Sequence, residues 1–226
     1  MERPEVIINV ASSLDGAIAS DEGALILSTT EDFVRVHELR NSVDAILVGV
    51  NTIIKDDPLL SVRYVQPKEP APFRVILDTK CRIPLTSKVL QDQETSPSII
   101  ITSEGSSEDI QEEIRKLGSK VITVKMEKNN RFLDLEDTLK KLKDQFNIDK
   151  VLVEGGSTVI TQFLDKNLVD IMYIFYAPVF VGVKNAKLLF EKEVIHNIGN
   201  ALSFEIRAVE KLHEGYLVTL KLKKDE

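Results

Sequence analysis

From Ser98 to Asp165 the chain repeats one pattern: a short run of Val and Ile, a turn, then a stretch with apolar residues at helical spacing. The runs fall at 99–101, 121–124 and 151–153, the amphipathic stretches at 107–117, 135–146 and 158–165. Nothing else in the sequence constrains the fold as strongly. Strands separated by helices cannot pair as tight hairpins, and a crossover of about a dozen residues brings the chain back parallel to the strand it left. Such strands are covered on both faces, which is why they read as unbroken apolar runs. Residues 6–10, 45–48 and 74–77 read the same way. After Asp165 the pattern changes: 171–176, 204–209 and 216–222 have no long helix between them, so antiparallel strands are expected there. The predicted class is α/β, with a mostly parallel central sheet and antiparallel C-terminal strands. No repeat, low-complexity stretch or linker divides residues 1–226, so one domain is expected.

Composition narrows the partners. The chain of 226 residues is 43% hydrophobic and 29% charged, with a formal net charge of −7 and a pI near 5.2. That sign argues against nucleic acid or an anionic membrane as partner, yet a few arginines in one cleft still suit an anionic small molecule. Cys81 is the only cysteine, which excludes an intrachain disulfide and fits a reducing cytoplasm. No apolar run approaches the roughly 18 residues that span a bilayer.

Several local patterns carry chemistry. A helix is expected from Thr30, with Ser28 or Thr29 as cap and Glu31 and Asp32 at its positive end. Phe33, Val36, His37 and Arg40 fall on one face, so Arg40 sits at the end of an apolar stripe, a costly place for a cation without a partner such as Asp44. Ser106 with Asp109 resembles a capping box. Val153-Glu154-Gly155-Gly156-Ser157-Thr158 passes from strand through a glycine pair to a helix, an arrangement that aims backbone N–H groups at an anion; a plain tight turn reads equally well. Thr52 and Asp56-Asp57-Pro58 follow a buried strand, where open α/β sheets place ligands, although Asp-Pro is also ordinary helix termination. Asp78-Thr79-Lys80-Cys81-Arg82 offers a hydroxyl and two cations suited to an extra phosphate, or is a solvated loop. His37, His196 and His213 are scattered without zinc spacing, and no metal site is expected. So little acid–base machinery suits hydride transfer between two bound molecules, which depends mainly on placement.

Taken in order, Ser13-Leu14-Asp15-Gly16, Arg40-Asn41, Thr52 with Asp56-Asp57-Pro58, Val62-Arg63, Asp78 with Arg82-Ile83-Pro84, Val153-Glu154-Gly155-Gly156 and Ala177-Pro178 resemble the reductase family of riboflavin biosynthesis. The likeness covers nearly the whole chain. It is greatest to the stand-alone archaeal and fungal branch, since nothing here resembles the zinc deaminase domain of the bacterial enzyme. The resemblance implies a dihydrofolate-reductase-like three-layer fold, NADPH as cofactor and a homodimer. It implies reduction of 2,5-diamino-6-ribosylamino-4(3H)-pyrimidinone 5′-phosphate at C1′ of its ring-opened ribose, leaving a ribitylamino chain. By the same resemblance Ala11, Thr52, Asp56, Asp78, Thr79, Lys80, Cys81, Gly155, Gly156, Ser157 and Thr158 hold the cofactor. Arg40, Leu60, Arg63 and Glu154 line the substrate, the arginines gripping its 5′-phosphate, and Asp57 is the candidate for assisting ring opening. Bacterial members carry a polar residue where this chain reads Ala24-Leu25-Ile26, so substrate contacts from that segment are not carried over. The alternatives are another reductase of this fold, acting on dihydrofolate or on the deaminated uracil substrate, and a non-catalytic NADPH-binding module.

Overall fold

The β-branched runs form strands and the amphipathic stretches form helices, in the predicted order. The computed structural model describes residues 3–20, 23–25, 27–128, 130–182, 186–190 and 202–223. In chain order the first elements are β1 (Glu5–Ser12), β2 (Ala17–Ser20), β3 (Gly23–Ala24), α1 (Thr30–Asn41), β4 (Ala45–Gly49), α2 (Val50–Asp56) and β5 (Phe73–Leu77). A single 3-10 turn at Lys88–Leu90 precedes β6 (Ser98–Ser103), α3 (Glu108–Lys116), β7 (Lys120–Val124), α4 (Leu135–Phe146), β8 (Lys150–Gly155) and α5 (Ser157–Asp165). The last strands are β9 (Ile171–Tyr176), β10 (Lys187–Leu188), β11 (Phe204–Leu212) and β12 (Gly215–Leu222).

Two compact units emerge, each discontinuous in sequence: one takes in 38–152 with the short stretch ending at Glu5, the other Val6–His37 and Val153 onward. The chain passes from one to the other within β1, α1 and β8.

In the first unit β4, β5, β6 and β7 lie side by side, all parallel, with Ala45 opposite Phe73, Arg74 opposite Ser98 and Ile99 opposite Lys120. Ile46, Leu47, Val75, Ile76, Ile99, Ile100 and Ile101 are fully buried, as strands covered on both faces require. Ile114 of α3 and Leu139 and Leu142 of α4 are buried too. Asp134 caps α4 by accepting the Glu136 and Asp137 N–H groups at 3.0 and 3.1 Å, an arrangement that contributes about 1 kcal/mol.

In the second unit β9 lies parallel to β1, and β12 and β11 continue the sheet antiparallel. Its core gathers Leu27, Phe175, Ala177 and Leu217, with Ala11, Leu25, Tyr173 and Leu212 packed against them.

Three expectations need correction. The small antiparallel sheet β10-β2-β3 was not foreseen, because strands of two to four residues leave too little periodicity to read. On α1 the buried residues are Asp32 and His37, while Phe33 is 43% exposed. The polar Asp32 turns inward, pairing with Arg35 at 2.7 Å, so of the predicted stripe His37 is buried, Val36 and Arg40 are half-buried and Phe33 faces out. The helix does start at Thr30, with the Thr29 hydroxyl accepting the Asp32 N–H at 3.2 Å. The capping box at Ser106 and Asp109 does not form: α3 starts after Ser107 with no side-chain cap, and Gln111 Nε2 donates to Ser106 Oγ at 3.0 Å.

The turn after β1 supplies a pH-dependent contact. Asp15 Oδ1 accepts from Ser13 Oγ at 2.6 Å and Val181 N–H at 3.1 Å, and Oδ2 from Gly182 N–H at 2.8 Å. These donors, the Ser13 hydroxyl foremost, hold the exposed carboxyl down to about 2. A folded value below the unfolded one adds stability above the unfolded value, lost as pH falls through the folded one. The stability gap between the native chain and Asp15→Asn is therefore expected to be constant above about pH 5 and to close toward pH 2. Denaturant titrations across that range read it directly; a gap that does not change would remove the carboxylate's charge from the account.

Candidate active site

In the first unit, α2 ends where Asp57 adopts left-handed geometry (φ 39, ψ 53), its N–H returning to Ile53 O. Left-handed geometry recurs at Leu60 (φ 50), although that side chain is 3% exposed. Non-glycine residues there cost about 1–3 kcal/mol each and persist only where surrounding structure holds them, a pattern typical of binding sites. What holds this segment is arginine: Arg40 Nη1 donates to Ser61 O at 3.0 Å and Arg63 Nη1 to Ser61 Oγ at 3.3 Å. Asn41, beside Arg40, clamps the same loop by donating to Gln66 O and accepting the Lys68 N–H. The fold thus brings Arg40, twenty-one residues away, to Ser61 beside its sequence neighbours Leu60 and Arg63. The Asp44 carboxylate serves elsewhere, accepting the Asp149 and Lys150 N–H groups.

Asp57 is bonded to Lys88. Its Oδ1 accepts the Lys88 N–H at 2.9 Å and its Oδ2 lies 3.5 Å from Lys88 Nζ, tying the end of α2 to the 3-10 turn. Thr52 is half-buried and Asp56 exposed on α2.

After β5 the chain turns tightly through 78–83. Asp78 is wholly buried; its Oδ2 accepts the Ile83 N–H at 2.8 Å, while its Oδ1 has no hydrogen-bond partner among the described residues. Burial, opposed by those backbone bonds, pushes its carboxyl above the usual range. Cys81 (φ 51) turns its thiol inward, 3.3 Å from the Thr102 hydroxyl, and Ser103 Oγ donates to Thr79 O. Lys80 stays exposed. Any ligand contact from Cys81 must therefore come from its backbone.

In the second unit, β8 carries half-buried Glu154 and buried Gly155. Gly156 (φ 85, ψ 115) is the turn itself and the N-cap of α5, geometry that glycine adopts without a Cβ penalty. The first helical bond runs from Ile160 N–H to Gly156 O at 3.0 Å, and the first N–H groups of a helix lack intrahelical acceptors and attract anions. The glycine pair is thus divided, Gly155 closing the strand and Gly156 opening the helix. Ala11, near the end of β1, is half-buried against the Phe175 cluster.

Two features escaped the sequence. Arg35 Nε donates to Asp32 at 2.8 Å, its Nη2 to Asn9 Oδ1 at 2.8 Å, and the guanidinium lies 6.0 Å from the Tyr173 ring centre. The i,i+3 spacing of Asp32 and Arg35 was the available signal. The other is the contact between Arg82, itself singled out above, and Asn51, whose Oδ1 accepts from Arg82 Nη2 at 3.1 Å; no spacing rule joins residues so distant in sequence. His213 Nδ1 lies 3.6 Å from Glu31, and His196 lies outside the described residues.

Residues 4–218 match the family model described as the RibD C-terminal domain. The chain belongs to the RibD C-terminal domain family. Over 222 residues it is 36% identical to the 2,5-diamino-6-ribosylamino-4(3H)-pyrimidinone 5′-phosphate reductase of Methanothermobacter thermautotrophicus, covering 98% of this chain and 99% of that protein. Among solved structures it is similar to Acinetobacter baumannii RibD, with a TM-score of 0.82 and 28% identity, covering 98% of this chain and 58% of that one. It is also similar to a Thermotoga maritima protein described as a diaminohydroxyphosphoribosylaminopyrimidine deaminase and 5-amino-6-(5-phosphoribosylamino)uracil reductase (TM-score 0.77, 29% identity, 98% and 57% covered). The chain thus spans a little over half the length of those two structures. Its fold is the dihydrofolate-reductase-like α/β fold expected for the family, mostly parallel with antiparallel C-terminal strands.

Proposed function

We propose that this chain is a reductase that uses NADPH to convert the ribosyl group of 2,5-diamino-6-ribosylamino-4(3H)-pyrimidinone 5′-phosphate into a ribitylamino chain. The observation that carries the reading is the near full-length similarity to the methanogen reductase of that name. The chain's own residues fit it. Arg40 and Arg63, meeting at Ser61, present forked cations suited to a phosphate monoester. Leu60 supplies a buried apolar side chain at the same place, and half-buried Glu154 offers a carboxylate to the amino groups of a pyrimidine.

The residues present also fit a phosphorylated dinucleotide. Gly155, Gly156, Ser157 and Thr158 open a helix at a glycine turn, Thr52 and Asp56 offer partners for hydroxyls, and the 78–81 turn contains a buried carboxylate oxygen with no hydrogen bond among the described residues. When bound, NADPH supplies the hydride. Ala11, with its small side chain at the end of β1, leaves room for a flat ring. Asp57 is the proposed helper of ring opening, and in that role its carboxylate leaves Lys88. Few other titrating groups are required, since placement carries most of the rate.

Both discontinuous units act together as one reductase domain, and the chain works as a cytoplasmic homodimer. Ile206, Val209 and Tyr216 on β11 and β12 are more than half or half exposed, apolar surface that pairing of two copies would cover. A purely monomeric chain by sedimentation at micromolar concentration would remove the dimer. No helix among the described residues is long and apolar enough to cross a membrane.

The Thermotoga maritima protein's description favours a second reading, in which the substrate is the deaminated uracil form. NADPH oxidation measured with the diaminopyrimidinone phosphate, its uracil counterpart and dihydrofolate separates the readings in one assay. Turnover of the first substrate alone is expected. Consumption only with the uracil form would favour the second reading, and NADPH binding without turnover would favour a non-catalytic module.

A further inference from the structure

We propose that Ser61 is a positioning residue for substrate capture, holding Arg40 by its carbonyl and Arg63 by its hydroxyl so that the two guanidinium groups form one receptor for a phosphate monoester. That role rests on the substrate reading above and supplies what neither arginine can, their spacing. Arg40 Nη1 donates to Ser61 O at 3.0 Å and Arg63 Nη1 to Ser61 Oγ at 3.3 Å. The two acceptors lie only a few bonds apart on one half-buried residue. Cations drawn to a single serine repel each other, a cost that an anion between them relieves. Five N–H donors on each guanidinium allow a hold on Ser61 and a forked contact with phosphate at once.

Ser61 is itself fixed from both sides. Leu60, the residue before it, is 3% exposed and left-handed (φ 50), a conformation that persists only where its surroundings hold it. On the far side Asn41 donates to Gln66 O at 3.0 Å and accepts the Lys68 N–H at 2.8 Å. Arg63 therefore sits on a short bridge between two anchored points, and consecutive residues of α1, Arg40 and Asn41, reach both. An exposed arginine loses rotamer freedom when it closes on a phosphate, and one already held at Ser61 has less to lose. The hydroxyl serves Arg63 and the carbonyl serves Arg40. Ser61→Ala thus releases one arginine and keeps the acceptor of the other.

Steady-state kinetics with the diaminopyrimidinone phosphate and its dephosphorylated counterpart read the effect. Ser61→Ala is expected to raise KM for the phosphate about three- to tenfold, with kcat, NADPH affinity and the KM of the dephosphorylated compound each within about twofold. Ser61→Thr, which keeps a hydroxyl, should bring KM back to within about twofold of the native value. In an Arg63→Ala background Ser61→Ala should add less than about twofold, because a residue that acts through Arg63 then has nothing to position. An unchanged KM in Ser61→Ala, or the same factor with and without Arg63, would overturn the assignment. An equal rise in both KM values would also overturn it, leaving Ser61 a structural link in the loop. If the native chain shows one KM for both compounds, or turns over neither, the substrate reading fails before any variant is made, and the role of Ser61 falls with it.

Discussion

Arg40→Ala is expected to raise the KM for the pyrimidine phosphate about a hundredfold and leave NADPH affinity within about twofold. A forked, partly desolvated arginine–phosphate pair loses roughly 2–3 kcal/mol or more when the arginine is removed, and each 1.4 kcal/mol is about tenfold in affinity. Arg63→Ala should act in the same direction but less strongly, because Arg63 is exposed and its bond to Ser61 Oγ, at 3.3 Å, is long. Arg40 has a structural duty as well, since its Nη1 donates to Ser61 O. Truncation could therefore act by loosening the strained segment around Leu60, and the two causes give different kinetics. A lost phosphate contact raises KM for the phosphorylated substrate and leaves the dephosphorylated one, already poor, nearly unchanged. A loosened loop weakens both substrates alike and lowers thermal stability. Arg40→Lys sharpens the test: a lysine keeps the charge without the planar fork, so it should recover only part of the loss. Equal loss of substrate and NADPH affinity in Arg40→Ala would remove Arg40 from the substrate site.

The second large effect is on stability. Gly215 opens β12, and a Cβ placed there would lie 2.4 Å from Phe175 Cζ and 2.6 Å from the Tyr176 carbonyl oxygen. Neither neighbour can yield easily. Phe175 is a wholly buried member of the second unit's core, and the carbonyl belongs to β9, which pairs with β12 in register. Overpacking in a closed core costs about 1–3 kcal/mol, and more when backbone must move, so Gly215→Ala is expected to lose about 3 kcal/mol or more. Gly105 is the control, because a Cβ there meets nothing within 4 Å; Gly105→Ala should change stability by less than about 1 kcal/mol. Urea denaturation of both variants makes the comparison. A Gly215→Ala protein as stable as the parent would mean that β9 and β12 are less tightly packed than the structure describes.

The fold was largely legible because its strands are buried on both faces. Runs such as 99–101 and 151–153 can satisfy that environment only as parallel strands, and the sequence has few other ways to hide so much Val and Ile. The short strands β2, β3 and β10 were not legible, since their pairing depends on partners distant in sequence rather than on a local period. The inner face of α1 was only partly legible, for a related reason. Asp32 is buried against Arg35, whose guanidinium Asn9 also holds, and a pattern of apolar residues on one helix does not contain that ion pair.

For the site the division is similar. The order of motifs along the chain, from Ser13 to Pro178, was enough to point to the reductase family, and Gly156 was recognisable as the turn between β8 and α5. Both depend on residue identity and on neighbours in sequence, which a sequence contains. That Arg40 and Arg63 meet at Ser61, that Leu60 is held in left-handed geometry, that Asp57 reaches Lys88 and that Arg82 reaches Asn51 were decided by tertiary structure alone. The contacts of Arg40 with Ser61, Asp57 with Lys88 and Arg82 with Asn51 join segments more than twenty residues apart, and those distances are set by packing rather than by local preference.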